Sequence, residues 1–523
     1  MRTIYSMVSR VAVLLAFAFA TTTGASAQKS DNILNLAVPV EIGTLDPHAV
    51  HMDATLTAKV NTYDPLFRWY GVPAELKPHL ATEATASADG LVYTVKLRKG
   101  VKFQDMTEVT ADDVVYSVER VLALNRAPAR FFSPLIAPGT TRAIDRYTVE
   151  FKLKQPAAPF AGMLSELYVV NKALIQQHEK DGDWGVPWVS KNPAGSGPFR
   201  VTEYDPATGW YAERFKDYFL GWGDKAVDGI RMRTIREPNS QVLALSRGTT
   251  DMYMNVLSND QADRLRKSPN VVVHDFPHQR IFVVHMHNQR PPLNDVHVRR
   301  AISYAFDYQG LIDGVLGGKA QRIQFPLPPS MWGYPKTEGY TYNLDKAKAE
   351  LAKAQVKIDR PLQIHAQTGN RVSEQVAQVL QASLRKIGIE ANIVSEPWST
   401  LASKCRSAET APDFFGMWKG PDYPDPHNWL GDMYDSRNGA SYTTCSFYKN
   451  KDVDAALSEA FRLPDQNARR VLYEKAAQQI VDDAGSLFLF NLVWQHAMNK
   501  RVHGYEFTPV ALGHNVKPVW LDK

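Results

Sequence analysis

The most unusual local stretch of the chain is Met417 to Leu430, MWKGPDYPDPHNWL, where an aromatic-rich strand starting at Phe414 ends and a run of prolines forces an irregular loop. Two carboxylates, Asp422 and Asp425, stand in it among Trp418, Tyr423 and Trp429. Flat apolar rings supply burial and a fixed carboxylate orients a cation, which is the chemistry of a small-molecule pocket. The same residue types also suit carboxylates that cap proline turns, so composition leaves both roles open.

Other constellations point away from catalysis. His285 and His287 alternate on one strand face with His274 and His278 close by. Pro277 separates the latter pair and Asp275 is the single carboxylate in the run, so a packed or surface strand is expected rather than a metal site. The sequence holds no HExxH, no GxSxG, no phosphate-binding Walker loop and no GxGxxG after a strand. Gly195-Ser196-Gly197 precedes Pro198 and a strand, where the glycines are expected to serve a tight turn rather than expose a nucleophile. No cofactor and no metal is expected, and the chain is not read as an enzyme.

The elements that would carry these residues interleave. Strand patterns run over Asn32 to Val40, Leu91 to Leu97, Thr148 to Leu153, Phe199 to Tyr204, Val271 to His274, Ile281 to Met286, Ile389 to Val394 and Ser486 to Val493. Helices are expected from Thr110 to Leu122, capped by Thr110, at Gln241 to Leu245 and Asp345 to Ala354, and from Glu374 to Ile387 before Gly388. The class is therefore α/β or α+β.

Residues 1–27 read as a cleaved export signal: Arg2 and Arg10 lie in a basic start, Val11 to Ala20 is apolar, and Ala25-Ser26-Ala27 offers small residues for a peptidase. The apolar run is about half of what a membrane-crossing helix requires. No cysteine stands just after the expected cleavage site, so no lipid-modified N-terminus is expected. Cys405 and Cys445 are then expected to be bridged, because an oxidising compartment favours a disulfide in an isolated pair. The 60 Lys and Arg against 55 Asp and Glu give a charge of +5, which falls to +3 without Arg2 and Arg10 and is spread with no long basic run. Nucleic-acid binding is not indicated.

Several blocks in order resemble the extracytoplasmic solute-binding proteins of family 5, which deliver peptides, nickel, opines and related cargo to ABC importers. They are Thr44-Leu45-Asp46-Pro47-His48, Leu97 to Asp113 (LRKGVKFQDMTEVTADD), Gly195 to Phe199 with Glu213 and Tyr218, Asn288 to Asp307 (NQRPPLNDVHVRRAISYAFD), and Trp418 to Pro426. The resemblance implies a two-lobed periplasmic binding protein of the large three-domain type with hinge strands. The first lobe would comprise 28–72, 193–282 and 492–523, an inserted domain 73–192 and the second lobe 283–491, with hinges in Ile281 to Met286 and Ser486 to Val493.

It also implies roles. Asp422 would hold a ligand's α-amino group, with Met417, Trp418 and Tyr423 beside it, although Pro421 lengthens the spacing from Trp418 by one residue. His51, Met52 and Asp53 would face the ligand from the first lobe, Trp398 would line a side-chain pocket, and Asn255 and Asn491 fall near other contact positions. Met106 and Gln104 replace a usual glycine and histidine. No arginine stands in the place of those that take a peptide's C-terminal carboxylate in some relatives, and Arg406 is the nearby candidate. The implied protein is a periplasmic, monomeric component of an ABC importer that binds a peptide or related amine-bearing solute and meets an inner-membrane permease. The alternatives are an opine, oligosaccharide, nickel or haem binder, an exported hydrolase, or a chemoreceptor-type sensor.

Overall fold

The computed structural model describes residues 32–49, 53–254, 257–510 and 513–522. The export signal and His51, Met52 and Asn255 lie outside the described residues, as does the side chain of Asp53.

Among the described residues, eleven strands form one mixed sheet. Its order is Ala391–Glu396, Leu362–Gln367, Phe414–Lys419, Val271–Met286, Ser486–Asn499, Met252–Tyr253, Ile33–Val38, Gly229–Thr234, Gly209–Arg214 and Phe199–Asp205, with Ala320–Arg322 pairing alongside Ser486–Asn499. One apolar core, with Leu34, Leu36, Trp210 and Ile230, sits at the Ile33–Val38 end. At the other end, Ile302, Leu380 and Phe414 belong to one core and Trp429, Leu457 and Phe488 to another. The two long antiparallel strands Val271–Met286 and Ser486–Asn499 run between these ends.

The sequence reads two strands separated by Pro277, whereas the structure has one strand of 16 residues. Pro277 lies opposite Val493, and the register shifts between Pro277 and Ile281 and again between Phe282 and Val283. A missing N–H is tolerated where the ladder is already irregular. The helix after Thr110 spans Ala111–Leu124, and Asp113 accepts from the Thr110 N–H at 2.9 Å and its hydroxyl at 2.8 Å. The amphipathic helix expected to stop at Gly388 spans Arg371–Arg385, with Gly388 at φ +78° just beyond it.

A separate four-stranded sheet, Ala81–Ala86, Val92–Leu97, Thr148–Leu153 and Ile136–Asp145, packs on the helix Ala111–Leu124. This small-sheet region is pinned through the TLDPH turn. Asp46 accepts from both terminal guanidinium nitrogens of Arg120, at 2.8 and 2.6 Å. His48 donates from Nε2 to the Tyr168 carbonyl at 2.8 Å and accepts from Arg120 at Nδ1 at 3.1 Å. Burial, with Arg120 beside it, lowers the His48 pKa to about 3, so the ring stays neutral.

Gly195 and Gly197 serve a different purpose from the expected turn. Neither has positive φ, and a Cβ would lie 2.1 Å from the Thr62 carbonyl oxygen at Gly195 and 2.4 Å from the Thr62 carbonyl carbon at Gly197. Only glycine permits this close backbone approach. Ser196 is buried and donates to Asp64 at 2.9 Å, which gives it a structural role. Gln104, in the histidine's place, donates to the carbonyls of Gly197 and Phe199 at 2.9 and 2.8 Å.

Candidate functional site

The strand Phe414–Lys419 pairs with Ile281 to Met286 and delivers the proline-rich loop at its end. The loop closes on Asn428, whose Oδ1 accepts from the Asp422 N–H at 2.9 Å and whose amide donates to Asp422 Oδ2 at 3.1 Å. Lys419 donates to Asp422 Oδ2 at 3.4 Å and to Asp432 at 2.8 Å. Burial pulls the Lys419 ammonium down, but Asp432 and Asp422 outweigh it and hold its pKa above the ordinary value. The remaining oxygen, Asp422 Oδ1, accepts from Arg130 of the small-sheet region at 2.6 Å.

Asp422 is 7% exposed and lies where two cavities meet. The first is bounded by the helix Asp53–Thr62, through Leu56 and Val60, by Glu166 and Tyr168, and by Trp494 and the segment from Tyr505 onward. The second has a volume of about 570 Å³ and lies between the small-sheet region and the far end of the large sheet. Arg130, Phe131, Tyr423 and Phe461 line it, with hydroxyls at Ser441, Tyr442, Thr443 and Thr444. The regions on its two sides also touch directly, for the Ala158 N–H donates to the Phe461 carbonyl at 2.8 Å. A cleft of this size, with aromatic rings and charged side chains of both signs, among them Arg130, Lys419, Asp422, Asp432, Asp435, Arg437 and Arg462, has room and polar anchors for a solute.

Asp425 takes no part in this cleft. It accepts from Arg469 at 2.9 and 2.7 Å, next to the Tyr473 hydroxyl, and is buried within the far end of the molecule. Of the two roles open for the loop carboxylates, Asp422 faces the cleft and Asp425 is an internal tie.

The other expected site residues are scattered around the loop. Tyr423 lines the second cavity. Trp418 sets its ring edgewise on Phe282 and Phe490, with the Arg280 guanidinium over its face at 5.3 Å. Met417 is buried in the core. Trp398 begins the helix Trp398–Lys404 and meets Tyr442 edgewise at 5.1 Å, one ring removed from the second cavity. Asn491 is buried in the strand Ser486–Asn499, paired with Ile281 and Gln321. Arg406 is exposed, next to the Cys405–Cys445 disulfide, whose Cα atoms are 5.0 Å apart. Neither cavity includes Arg406, Asn491, Trp418 or Met417 in its lining.

His285 bonds Ser486 at 3.0 Å within the strand Val271–Met286, and His287, one residue past its end, bonds the Ala408 carbonyl at 2.8 Å, so both are packed side chains. Arg130 and Glu166 line the cavities, with Asn428 bonded behind Asp422 and Lys59 3.3 Å from Glu166, and none of the four was singled out by sequence reasoning. Lys419 carried a signal, three residues before Asp422 within the segment already marked. Arg130 carried none, being 292 residues away.

Residues 75–441 match the family described as bacterial extracellular solute-binding proteins, family 5 middle. The chain is 31% identical over 507 residues to the "Probable D,D-dipeptide-binding periplasmic protein DdpA" of Escherichia coli (strain K12), covering 95% of this chain and 96% of that one. It is 26% identical over 485 residues to a dipeptide-binding protein of the same organism, covering 87% and 88%. Among solved structures, the periplasmic binding protein DppA of Helicobacter pylori in complex with the peptide STSA superposes with a TM-score of 0.80 at 28% identity, covering 94% of this chain and 98% of that one.

Proposed function

Because the chain belongs to family 5 of the bacterial extracellular solute-binding proteins, we propose that it is the periplasmic binding component of an ABC importer and captures a peptide or related amine-bearing solute beside Asp422. The observation that carries this reading is the buried carboxylate of Asp422 at the junction of two cavities. A buried ammonium needs such a partner to offset its lost hydration. The peptide in the Helicobacter pylori neighbour and the dipeptide names of the two relatives support a peptide cargo. The volume of the second cavity and its row of hydroxyls favour, as a second reading, a bulkier conjugate such as an opine.

In this reading no bond is made or broken. The molecule works as a monomer exported to the periplasm and hands its cargo to an inner-membrane permease. The division into a discontinuous first lobe, an inserted domain and a second lobe belongs to the same reading. The irregular ladder near Pro277 is then where the lobes flex.

Native mass spectrometry of the purified protein identifies carried cargo. Replacing Asp422→Asn removes the charge while keeping the shape, and affinity for a free-amine ligand falls about a hundredfold. Equal affinity in titration calorimetry would sink the assignment of Asp422.

A further inference from the structure

Three imidazoles behind the first cavity have no part in the Asp422 junction. His278 and His496 stand on the long strands Val271–Met286 and Ser486–Asn499, 1% and 2% exposed, and neither ring nitrogen of either has a hydrogen-bond partner. His514 stacks on His496 with ring centres 5.0 Å apart and meets the Tyr505 hydroxyl through Nδ1 at 2.7 Å. Trp494 meets His278 at 5.1 Å, Phe507 meets His278 at 5.9 Å, and Tyr505 meets His496 at 5.1 Å. Native interiors seldom leave a buried polar side chain wholly unpaired, so two such rings in one layer point to a function.

A neutral imidazole in that layer leaves one donor and one acceptor unmade. A protonated one would leave two donors and a whole charge, which burial penalises far more. The charged groups acting on the rings are all cationic in acid: Arg280 and His514 on His278, and His274 and His514 on His496. The Tyr253 carbonyl beside His496 does not complete a hydrogen bond to it. The helix Asp53–Thr62 gives His514 uncharged partners, Thr57 for its N–H and Asn61 for its carbonyl, while Lys59 of that helix pairs with Glu166. Glu506, next to Tyr505, acts on Tyr70 and Lys517 and not on these rings. Burial accordingly lowers the pKa of His278 to about 3 and of His514 to about 4, and holds His496 well below its ordinary value.

A proton on any of these rings therefore requires water, and Tyr505, Phe507 and His514 cover the layer. Those three, with Trp494, are also wall of the first cavity, which Asp422 borders. His278 itself lies between Pro277 and Ile281, where the ladder is irregular. Moving the wall lets the rings ionise and opens the cavity in one step. We propose that His278, His496 and His514 form a proton switch on the solute site: the protein grips at neutral pH, and in mild acid ionisation of the layer displaces Tyr505 and Phe507 and releases the solute. This rests on the reading that the solute lies beside Asp422. With the wall seated, His514 stays neutral down to about pH 4 and His278 to about 3; with the wall lifted, they take up protons near 6.5. Between those values each favours the lifted form by up to about tenfold per pH unit, and above 6.5 the preference vanishes.

The test follows amide hydrogen exchange of the peptic fragment carrying Tyr505 and Phe507, corrected for the intrinsic effect of pH, in the chain from Gln28 onward. Wild-type protection falls at least about tenfold from pH 7 to 5, and in the double variant His278→Phe, His496→Phe it changes by less than about threefold. At pH 5 the double variant is then the better protected of the two, which damage to the fold does not produce. The pair His278→Gln, His496→Gln, polar but uncharged, flattens the profile equally and serves where phenylalanine lowers the melting temperature at pH 7. L-Ala-L-Ala, whose own charges hardly change over this range, is titrated calorimetrically alongside. Its affinity for wild type drops at least about tenfold at pH 5, and for the double variants by less than about threefold. Wild-type protection that ignores pH, or a fall undiminished in both double variants, overturns the switch whatever the dipeptide does. So does dipeptide affinity that stays constant while protection falls. If protection responds as expected but the dipeptide fails to bind at pH 7, the reading of a peptide beside Asp422 falls and the switch on the cavity wall stands.

Discussion

Asp422 and Asp425 stand three residues apart in one loop, are equally buried at 7% exposure, and each meets an arginine at under 3 Å. Their arginines differ. Arg469 comes from the helix Gln466–Asp482 packed behind the loop and is 7% exposed, so its pair with Asp425 is sealed on all sides. Arg130 crosses from the small-sheet region and is 41% exposed, so its pair with Asp422 has one side on the cleft. Burial of the acid alone does not separate a carboxylate on the cleft from one inside the packing; the exposure of its partner does.

That contrast can be broken most severely at Asp425. Asp425→Ala leaves the Arg469 guanidinium buried without its carboxylate and should cost about 3–5 kcal/mol of stability in urea unfolding, with affinity per folded molecule retained. A cost below about 1 kcal/mol would place Asp425 in the same class as Asp422. Asp422→Asn should show the converse, with about 2–3 kcal/mol lost from binding and less than about 1 kcal/mol from stability.

Acid sharpens the contrast further, because His427 is packed beside Asp425. Burial lowers its pKa to about 4 against the pull of Asp425 and Asp435. The unfolded chain takes up this proton near pH 6.5 and the native state only near 4, so the stability from a neutral His427 is complete above about 6.5 and is lost as pH falls toward 4. His48 behaves likewise down to about 3. Each contributes a slope of up to about 1.4 kcal/mol per pH unit, and His427→Gln should flatten the curve by one proton in urea titrations at successive pH values. The smallest effect is a control remote from both acids. Met106 holds φ +74°, a conformation that favours glycine, and Met106→Gly should raise stability by about 1 kcal/mol without altering affinity.

Much of this was legible locally. The strand at Thr148 to Leu153, the cap at Thr110 and the stop at Gly388 depend on residues within a few positions of one another, and they stand where the pattern puts them. The loop around Asp422 was marked by composition alone. Pro277 misled because its missing N–H matters only in a regular ladder, and regularity is set by the partner strand 200 residues on. The glycines of Gly195-Ser196-Gly197 were read as turn formers because their true neighbour, Thr62, is a backbone segment brought there by tertiary packing. Arg130 was invisible for the same reason: nothing near it in the chain refers to Asp422.

The bridge between Cys405 and Cys445 has a consequence beyond its own two residues. The ring of chain that it closes contains the strand Phe414–Lys419 and both loop acids. Closing a ring of that length removes about 4 kcal/mol of unfolded-state freedom on the chain-entropy account. A newly made molecule in reducing surroundings lacks that constraint on the segment that carries Asp422. If the chain is exported and binds its solute beside Asp422 as proposed, oxidation outside the cytoplasm would order the binding segment as well as stabilise the fold, and a reduced copy would hold its solute less well.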